Sequence, residues 1–243
     1  MTFTIVGRCA RTGITGICMA TSSPAVGNRC SFVSRDGAVG LQAVAEPRLG
    51  ILGLRLLETG YSPRKVIGEL MTSDEYPGKR QVGIVDIDGR SAAFTGDANA
   101  EWAGHLNGPN YVAMGNLLRG PEVVAAIAEV FLESEGQELE ERLVLAIEAG
   151  RDAGGQEEGQ TSASLLTFGK ETFSRCDLRS DISEEPVADL RRLYDWYKPL
   201  IPYFLERARN PMLPGFKTHV ANLGLERSYG RPVPVTRGPK AGR

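Results

Sequence analysis

The chain has 243 residues, of which 42% are hydrophobic and 24% charged, and its formal net charge is −2. That is the composition of one large globular domain, or of one domain with an appendage, with length enough for a full core. The near-neutral balance gives no electrostatic case for nucleic acid or an anionic membrane surface. Neither a charged-then-apolar leader nor an apolar run of about 18 residues is readable, so a cytoplasmic protein with no membrane partner is expected.

Cys9, Cys18, Cys30 and Cys176 are scattered, with no C-x-x-C pair, and only His105 and His219 could join them. No metal site, zinc in particular, is expected from such spacing. Cys9 and Cys18 fall on segments read as facing strands. Either they remain buried free thiols, the ordinary state in a reducing compartment, or they bridge.

In chain order, Thr2 to Arg8 is β-branched and apolar, which is strand composition. Arg11-Thr12-Gly13 turns it back into a second strand over Ile14 to Ala20, followed by a small-residue loop from Thr21 to Gly27. Phe32 to Ala45 reads as another hairpin about Arg35-Asp36-Gly37. Leu49 to Glu58 is an apolar-periodic helix closed by Gly60, and Ser62-Pro63 opens the next helix with a cap residue and a first-turn proline. Gln81 to Asp86 and Ser91 to Thr95 form a hairpin about Asp88-Gly89. Gly96 to Asn116 reads as a long irregular stretch of the kind that often carries function. Pro121 to Phe131 and Leu139 to Ala149 are periodic helices, Gly154 to Ser162 a flexible loop, and Ala163 to Phe168 a last strand. From about Asp181 the texture changes. Pro186 to Arg209 reads as one or two amphipathic helices broken at Pro199 and Pro202, and the last dozen residues as a loose tail.

Strands, helix pair, strands, helix pair, strand is not a β-α-β alternation. It suits an α+β fold: a four-layer αββα sandwich of two antiparallel sheets between helix pairs over residues 1–181, with a C-terminal helical extension and tail over 182–243. That layering, with a first strand that begins on a hydroxyl residue, is the architecture of the N-terminal-nucleophile (Ntn) hydrolases.

Several strings resemble one bacterial family, the DUF1028 proteins, whose fold is Ntn-hydrolase-like. They are Thr2-Phe3-Thr4-Ile5-Val6, Ala25-Val26-Gly27, Gln42-Ala43 with Pro47-Arg48, and Arg80 to Asp86. Ala93 to Gly96, Trp102-Ala103-Gly104-His105, Met114-Gly115-Asn116 and Gly120 to Val124 follow. Gly154-Gly155, Gln160 with Ser162-Ala163, and Asp177-Leu178-Arg179 complete the set, spanning roughly residues 2 to 195. The resemblance implies that Thr2 becomes the N-terminal residue once Met1 is trimmed, as its small side chain permits, and that its amine serves as base for its own hydroxyl. Proteasome-like Ntn enzymes place a lysine on the third strand, whereas this chain has none from Met1 to Arg64. Arg29 or Arg35 can supply charge but not give up a proton.

Each further candidate has a structural alternative. Asn116, or backbone amides near Gly27 or Gly96, can hold an oxyanion, or Asn116 ties down a loop. Ser22 and Ser23 are proton relays or turn residues, and Ser162 orients the terminal amine or caps its strand. Gln42 meets substrate or closes an internal hydrogen bond. Arg48 clamps a substrate carboxylate or pairs with Glu46 or Asp36. Trp102 and His105 line a pocket, or His105 holds a loop. Asp177, Arg179 and Asp181 share one face of an extended segment and read as a salt-bridged ladder rather than a metal site.

The leading expectation is an amidohydrolase, acting on carbon–nitrogen bonds other than peptide bonds, that cleaves a small linear amide with Thr2 and needs no cofactor. The alternative is a catalytically silent, metabolite-binding or homo-oligomeric member of the fold. A third reading uses Ser22, Ser23 or Ser162 with His105, but no G-x-S-x-G elbow accompanies it. A small-molecule substrate and a homo-oligomer are the expected partners.

Overall fold

The computed structural model describes residues 1–225. The tail read at the C-terminus lies outside the described residues. The first strand, β1 (Thr2–Arg8), is central to a six-stranded antiparallel sheet. It pairs with β2 (Thr15–Thr21) in a hairpin, as its alternating turn chemistry requires. A second sheet of four strands comprises β3 (Ser31–Ser34), β4 (Gly37–Ala43), β5 (Arg80–Asp86) and β6 (Ser91–Thr95), in that order. The remaining strands of the first sheet are β7 (Gly104–Gly108), β8 (Tyr111–Asn116), β9 (Ser162–Phe168) and β10 (Ser174–Ser180), giving the order β10-β9-β2-β1-β8-β7.

The two sheets face each other over a core of Val6, Ile17, Met19, Val85, Val112 and Met114. Helices α1 (Pro47–Glu58) and α2 (Pro63–Ser73) cover the outer face of the four-stranded sheet, burying Leu49, Leu57, Val66 and Leu70 against Val39, Val82 and Ile84. Helices α3 (Pro121–Glu133) and α4 (Leu139–Asp152) cover the outer face of the six-stranded sheet. The αββα sandwich of two antiparallel sheets is therefore present as expected. Phe3, wholly buried, points from β1 toward the α3–α4 layer. A side chain at Gly150 of α4 would come within 2.8 Å of Ile127 and 3.1 Å of Phe3, so glycine there lets the helix lie close on β1. Truncating a buried phenylalanine of this kind typically costs about 3–5 kcal/mol.

Three segments differ from the sequence reading. Gly96 to Asn116 is irregular only at its start, because β7 and β8 form a hairpin whose turn places Asn110 at φ 69°. Asn110 is pinned there, its N–H donating to Gly89 O at 2.8 Å and its C=O accepting from Arg8 N at 2.9 Å. Ala163 to Phe168 is not the last strand. β10 follows it at the sheet edge, taking in the segment around Asp177 and Arg179 that was read as extended but not counted as a strand of the fold. Beyond Arg209, where no element was expected, a short helix, α7 (Phe216–Asn222), forms.

The chain divides into compact units at Ile201/Pro202, twenty residues beyond the boundary placed on texture alone. The reason is α5 (Pro186–Tyr197), which buries Leu190 and Tyr194 and packs on β9, β10 and α4. Arg191 of α5 also bridges Glu141 and Glu148 of α4, each at 2.7 Å. In the second unit, helix α6 (Ile201–Arg209) and α7 are joined by Tyr203 stacked on His219 at 4.0 Å and by Phe204 against Phe216. Arg207 donates to Tyr203 Oη and to the carbonyls of Leu213 and Pro214, closing that pair.

Candidate active site

Strand register brings the polar residues together. Thr2 stands opposite Thr21 on one side and Asn116 on the other, and Thr21 stands opposite Ser162. Directly paired residues share a face, so Ser162, Thr21, Thr2 and Asn116 form one row across four strands. Thr4, two residues along β1 on the same face, bonds to Gln42 of the other sheet, which fixes that face as the inter-sheet one.

Thr2 is 6% exposed. Its Oγ1 lies 3.0 Å from Thr21 Oγ1, and Thr21 Oγ1 donates to the Met1 carbonyl. A carbonyl can only accept, so the Thr21 proton is committed to Met1, and in the 3.0 Å contact Thr2 donates and Thr21 accepts. The same carbonyl accepts from Ser22 N at 3.4 Å. Burial lowers the pKa of the Met1 amine, while Glu158 and Cys30 act in the opposite direction.

Behind this row lies a chain of neutral amides. Gln42 Nε2 donates to Gln81 Oε1 at 2.6 Å and weakly to Thr2 O at 3.4 Å, and its Oε1 accepts from Thr4 Oγ1 at 2.5 Å. Gln81 Oε1 also accepts from Asn116 Nδ2 at 3.0 Å. Gln81 Nε2 donates to Thr95 Oγ1 at 2.9 Å, Gly104 O at 3.0 Å and Gly115 O at 2.8 Å. Thr95 Oγ1 then meets His105 Nδ1 at 2.8 Å. The network runs from Thr2 to His105 through hydroxyls and amides.

The sequence-predicted residues fall into two groups. Thr2, Asn116, Ser162 and Gln42 converge. Ser162 Oγ accepts from Val26 N at 3.0 Å and donates to Ser23 O at 2.7 Å, so it braces the loop after β2. In that loop Ser23 Oγ accepts from Arg29 Nη2 at 2.6 Å, and Arg29 also donates to the carbonyls of Pro24 and Ala25. Arg29 is thus the cation near the row, while Arg35 sits beside Asp36 at the far end of the sheets.

His105 is aligned with Met114 and Thr4, two strands from β1. That is about 10 Å at the usual strand spacing, so its link to Thr2 runs through the amides. Burial lowers its pKa from the ordinary 6.5. Trp102 is half-buried before β7, its ring against Gly104 and its carbonyl accepting from Leu118 N. Arg48 is exposed and forks onto Glu46, with Nε at 3.0 Å and Nη2 at 2.7 Å. Arg179 pairs likewise with Asp181 at 2.9 Å. The Gly96 N–H is spent on Arg80 O, which removes it as an oxyanion donor.

Four participants were missed, Thr4, Thr21, Gln81 and Thr95. Thr21 was legible in principle, since folding the hairpin about Thr12-Gly13 sets the end of its second strand opposite Thr2. All four cysteines are buried free thiols. Among the described residues no His/Cys/Asp/Glu group suited to a metal ion occurs, and no helix is long and apolar enough to cross a membrane.

No curated protein matches the chain in sequence. The crystal structure of protein SPO2555 from Silicibacter pomeroyi, matched to the DUF1028 family model, is similar with a TM-score of 0.75 and 28% identity, over 81% of this chain and 89% of that one. Anbu from Hyphomicrobium sp. strain MC1 is similar with a TM-score of 0.38 and 10% identity, over 88% of this chain and 99% of that one. Its Gly-1 mutant gives 0.35 and 10%, over 86% and 100%. Scores that low transfer no residue roles. The model of the family of unknown function DUF1028 matches residues 2–190, and the chain belongs to that family.

Proposed function

We propose that the protein is an N-terminal-nucleophile amidohydrolase that cleaves a small linear amide with Thr2 after Met1 is removed. The observation that carries this reading is the Thr2 hydroxyl, buried at the leading end of β1 and donating to Thr21 within a row of polar side chains. Removing Met1 releases two donors at once, the Thr21 hydroxyl and the Ser22 N–H, from the carbonyl they now hold. A substrate carbonyl oxygen is the natural replacement, and donors aimed at such an oxygen stabilise the charge that develops on it.

The chemistry follows from the same atoms. The freed amine of Thr2 takes the proton of its own hydroxyl, directly or through Thr21, whose hydroxyl can accept and donate. Oγ1 attacks the amide carbon, and the ammonium returns the proton to the departing nitrogen. Water then attacks the threonyl ester, with the amine again as base. The freed Thr2 amine would stand at a position only 6% exposed, and burial favours the neutral, basic form of an amine. No cofactor enters these steps. A homo-oligomer in the cytoplasm belongs to the same proposal, checked by mass in solution and by cell fractionation.

The test is a screen of small linear amides with processed protein, using release of ammonia or amine as readout. Turnover abolished by Thr2→Ala supports the reading. Turnover that survives Thr2→Ala and is lost in His105→Ala would replace it with a serine–histidine hydrolase. The capping of Thr2 by Met1 favours one other reading: a chain that keeps Met1 is catalytically silent and binds a metabolite.

A further inference from the structure

The other end of β1 poses a problem that the proposed hydrolase does not use. A cavity of about 230 Å³ opens there between the β1–β2 turn, the β7–β8 turn and the end of α3, and is lined by Arg8, Asn110, Phe131, Glu135 and Arg142. Arg142 is only 4% exposed. Its guanidinium lies over the Phe131 ring at 4.0 Å and donates Nε and Nη2 to one acceptor, the Phe131 carbonyl, at 3.3 and 2.9 Å. Capping the last turn of α3 accounts for those two groups. Among the described residues Nη1 has no hydrogen-bond partner.

Arg8 repeats the pattern from the opposite wall. Its Nη1 donates to Asn110 Oδ1 at 2.9 Å, and its Nε is buried with no partner. Among the described residues neither arginine has a carboxylate within ion-pair distance. Arg11, nearby, likewise donates only to carbonyls, those of Gly136 and Gln137 at 3.2 and 2.9 Å. Glu135, on the exposed rim, is the single acid lining the cavity, so positive charge is in excess. Burial also works against the Arg142 charge.

Buried cations are ordinarily paired, because losing water costs far more than a carbonyl contact returns. Two guanidiniums line one cavity, and Arg8 Nη2 and Arg142 Nη1 make no hydrogen bond to any described residue, which leaves a planar donor set of the kind that recognises oxyanions. We propose that this cavity binds a small oxyanion, a phosphate or carboxylate group, between Arg8 and Arg142. The Asn110 turn, anchored to Gly89 and Arg8, holds one wall in place. This site lies at the far end of β1 from Thr2 and stands whether or not Thr2 is a nucleophile.

The experiment is calorimetric titration of the full chain with inorganic phosphate and, separately, with acetate, at constant ionic strength and pH 7.5. Saturable binding of one oxyanion per chain is expected, weakened at least about tenfold by Arg8→Gln and by Arg142→Gln and unchanged by Arg90→Gln on the β5–β6 turn. Tighter binding of phosphate identifies a phosphate ligand, and tighter binding of acetate a carboxylate one. Arg8→Gln, at a half-buried position, decides the matter if Arg142→Gln does not fold. No saturable binding of either anion, or binding that Arg8→Gln leaves intact, overturns the proposal.

Discussion

The two ends of β1 handle buried polarity in opposite ways. At the Thr2 end, Thr4, Gln42, Gln81, Asn116 and Thr95 are neutral and bonded to one another. At the Arg8 end, two guanidiniums line one cavity, Arg8 bonded to the Asn110 amide and Arg142 to the Phe131 carbonyl, with no carboxylate partner among the described residues. A neutral, satisfied network gives a rigid seat whose one adjustable part is the Met1 peptide group. An under-paired cationic pocket is complete only with something bound. The same strand thus presents a preorganised site at one end and a ligand-dependent one at the other.

The largest expected effect lies at the neutral end. Thr2→Ala should lower turnover of any amide substrate by at least about a thousandfold while leaving the unfolding midpoint nearly unchanged, since the side chain is small. Next is the network. Gln81→Leu strands the donors of Gln42 and Asn116 and the carbonyls of Gly104 and Gly115, so it should cost about 2–4 kcal/mol of unfolding free energy in urea titration. At the charged end Arg142→Met should cost clearly less, because it also removes a buried cation with no counter-charge. Equal losses at the two ends would break the comparison.

A smaller effect separates positioning from chemistry. Thr21→Val should reduce turnover about tenfold or more with Thr2 still in place, and Thr21→Ser should restore most of it. The smallest effect is electrostatic. Burial holds the folded His105 pKa below its ordinary 6.5, so between those two values the unfolded chain binds a proton that the folded chain refuses. Its contribution is whole above pH 6.5 and is lost as the pH falls toward the folded value. Urea midpoints between pH 7.5 and 5 should show that loss, and His105→Asn should remove this part of it.

Much of the fold was legible because its signals are local. The first hairpin, the α1–α2 pair with Pro63 at the first turn, and the Gln81–Thr95 hairpin depend on turn residues and periodicity within a dozen positions. What was hidden depends on partners far away in sequence. β7 and β8 read as irregular because Gly104-His105-Leu106-Asn107-Gly108 is a half-exposed edge with little apolar content, and Asn110 adopts its turn only against Gly89. β10 was legible only as an extended segment about Asp177 and Arg179, because an edge strand can leave both exposed and so carries no apolar run. At the site, Thr2, Asn116, Ser162 and Gln42 stood out as hydroxyls and amides in or beside apolar runs. Gln81 has the same signature, but its five side-chain hydrogen bonds reach four other strands, which no local pattern announces.

Whether Thr2 is the working N-terminus is read from the intact mass of untagged protein. The expected mass is short by one methionine residue, with Thr2 first. A mass that retains Met1 would contradict it, because the Met1 carbonyl would then keep both the Thr21 hydroxyl and the Ser22 N–H that the reaction needs.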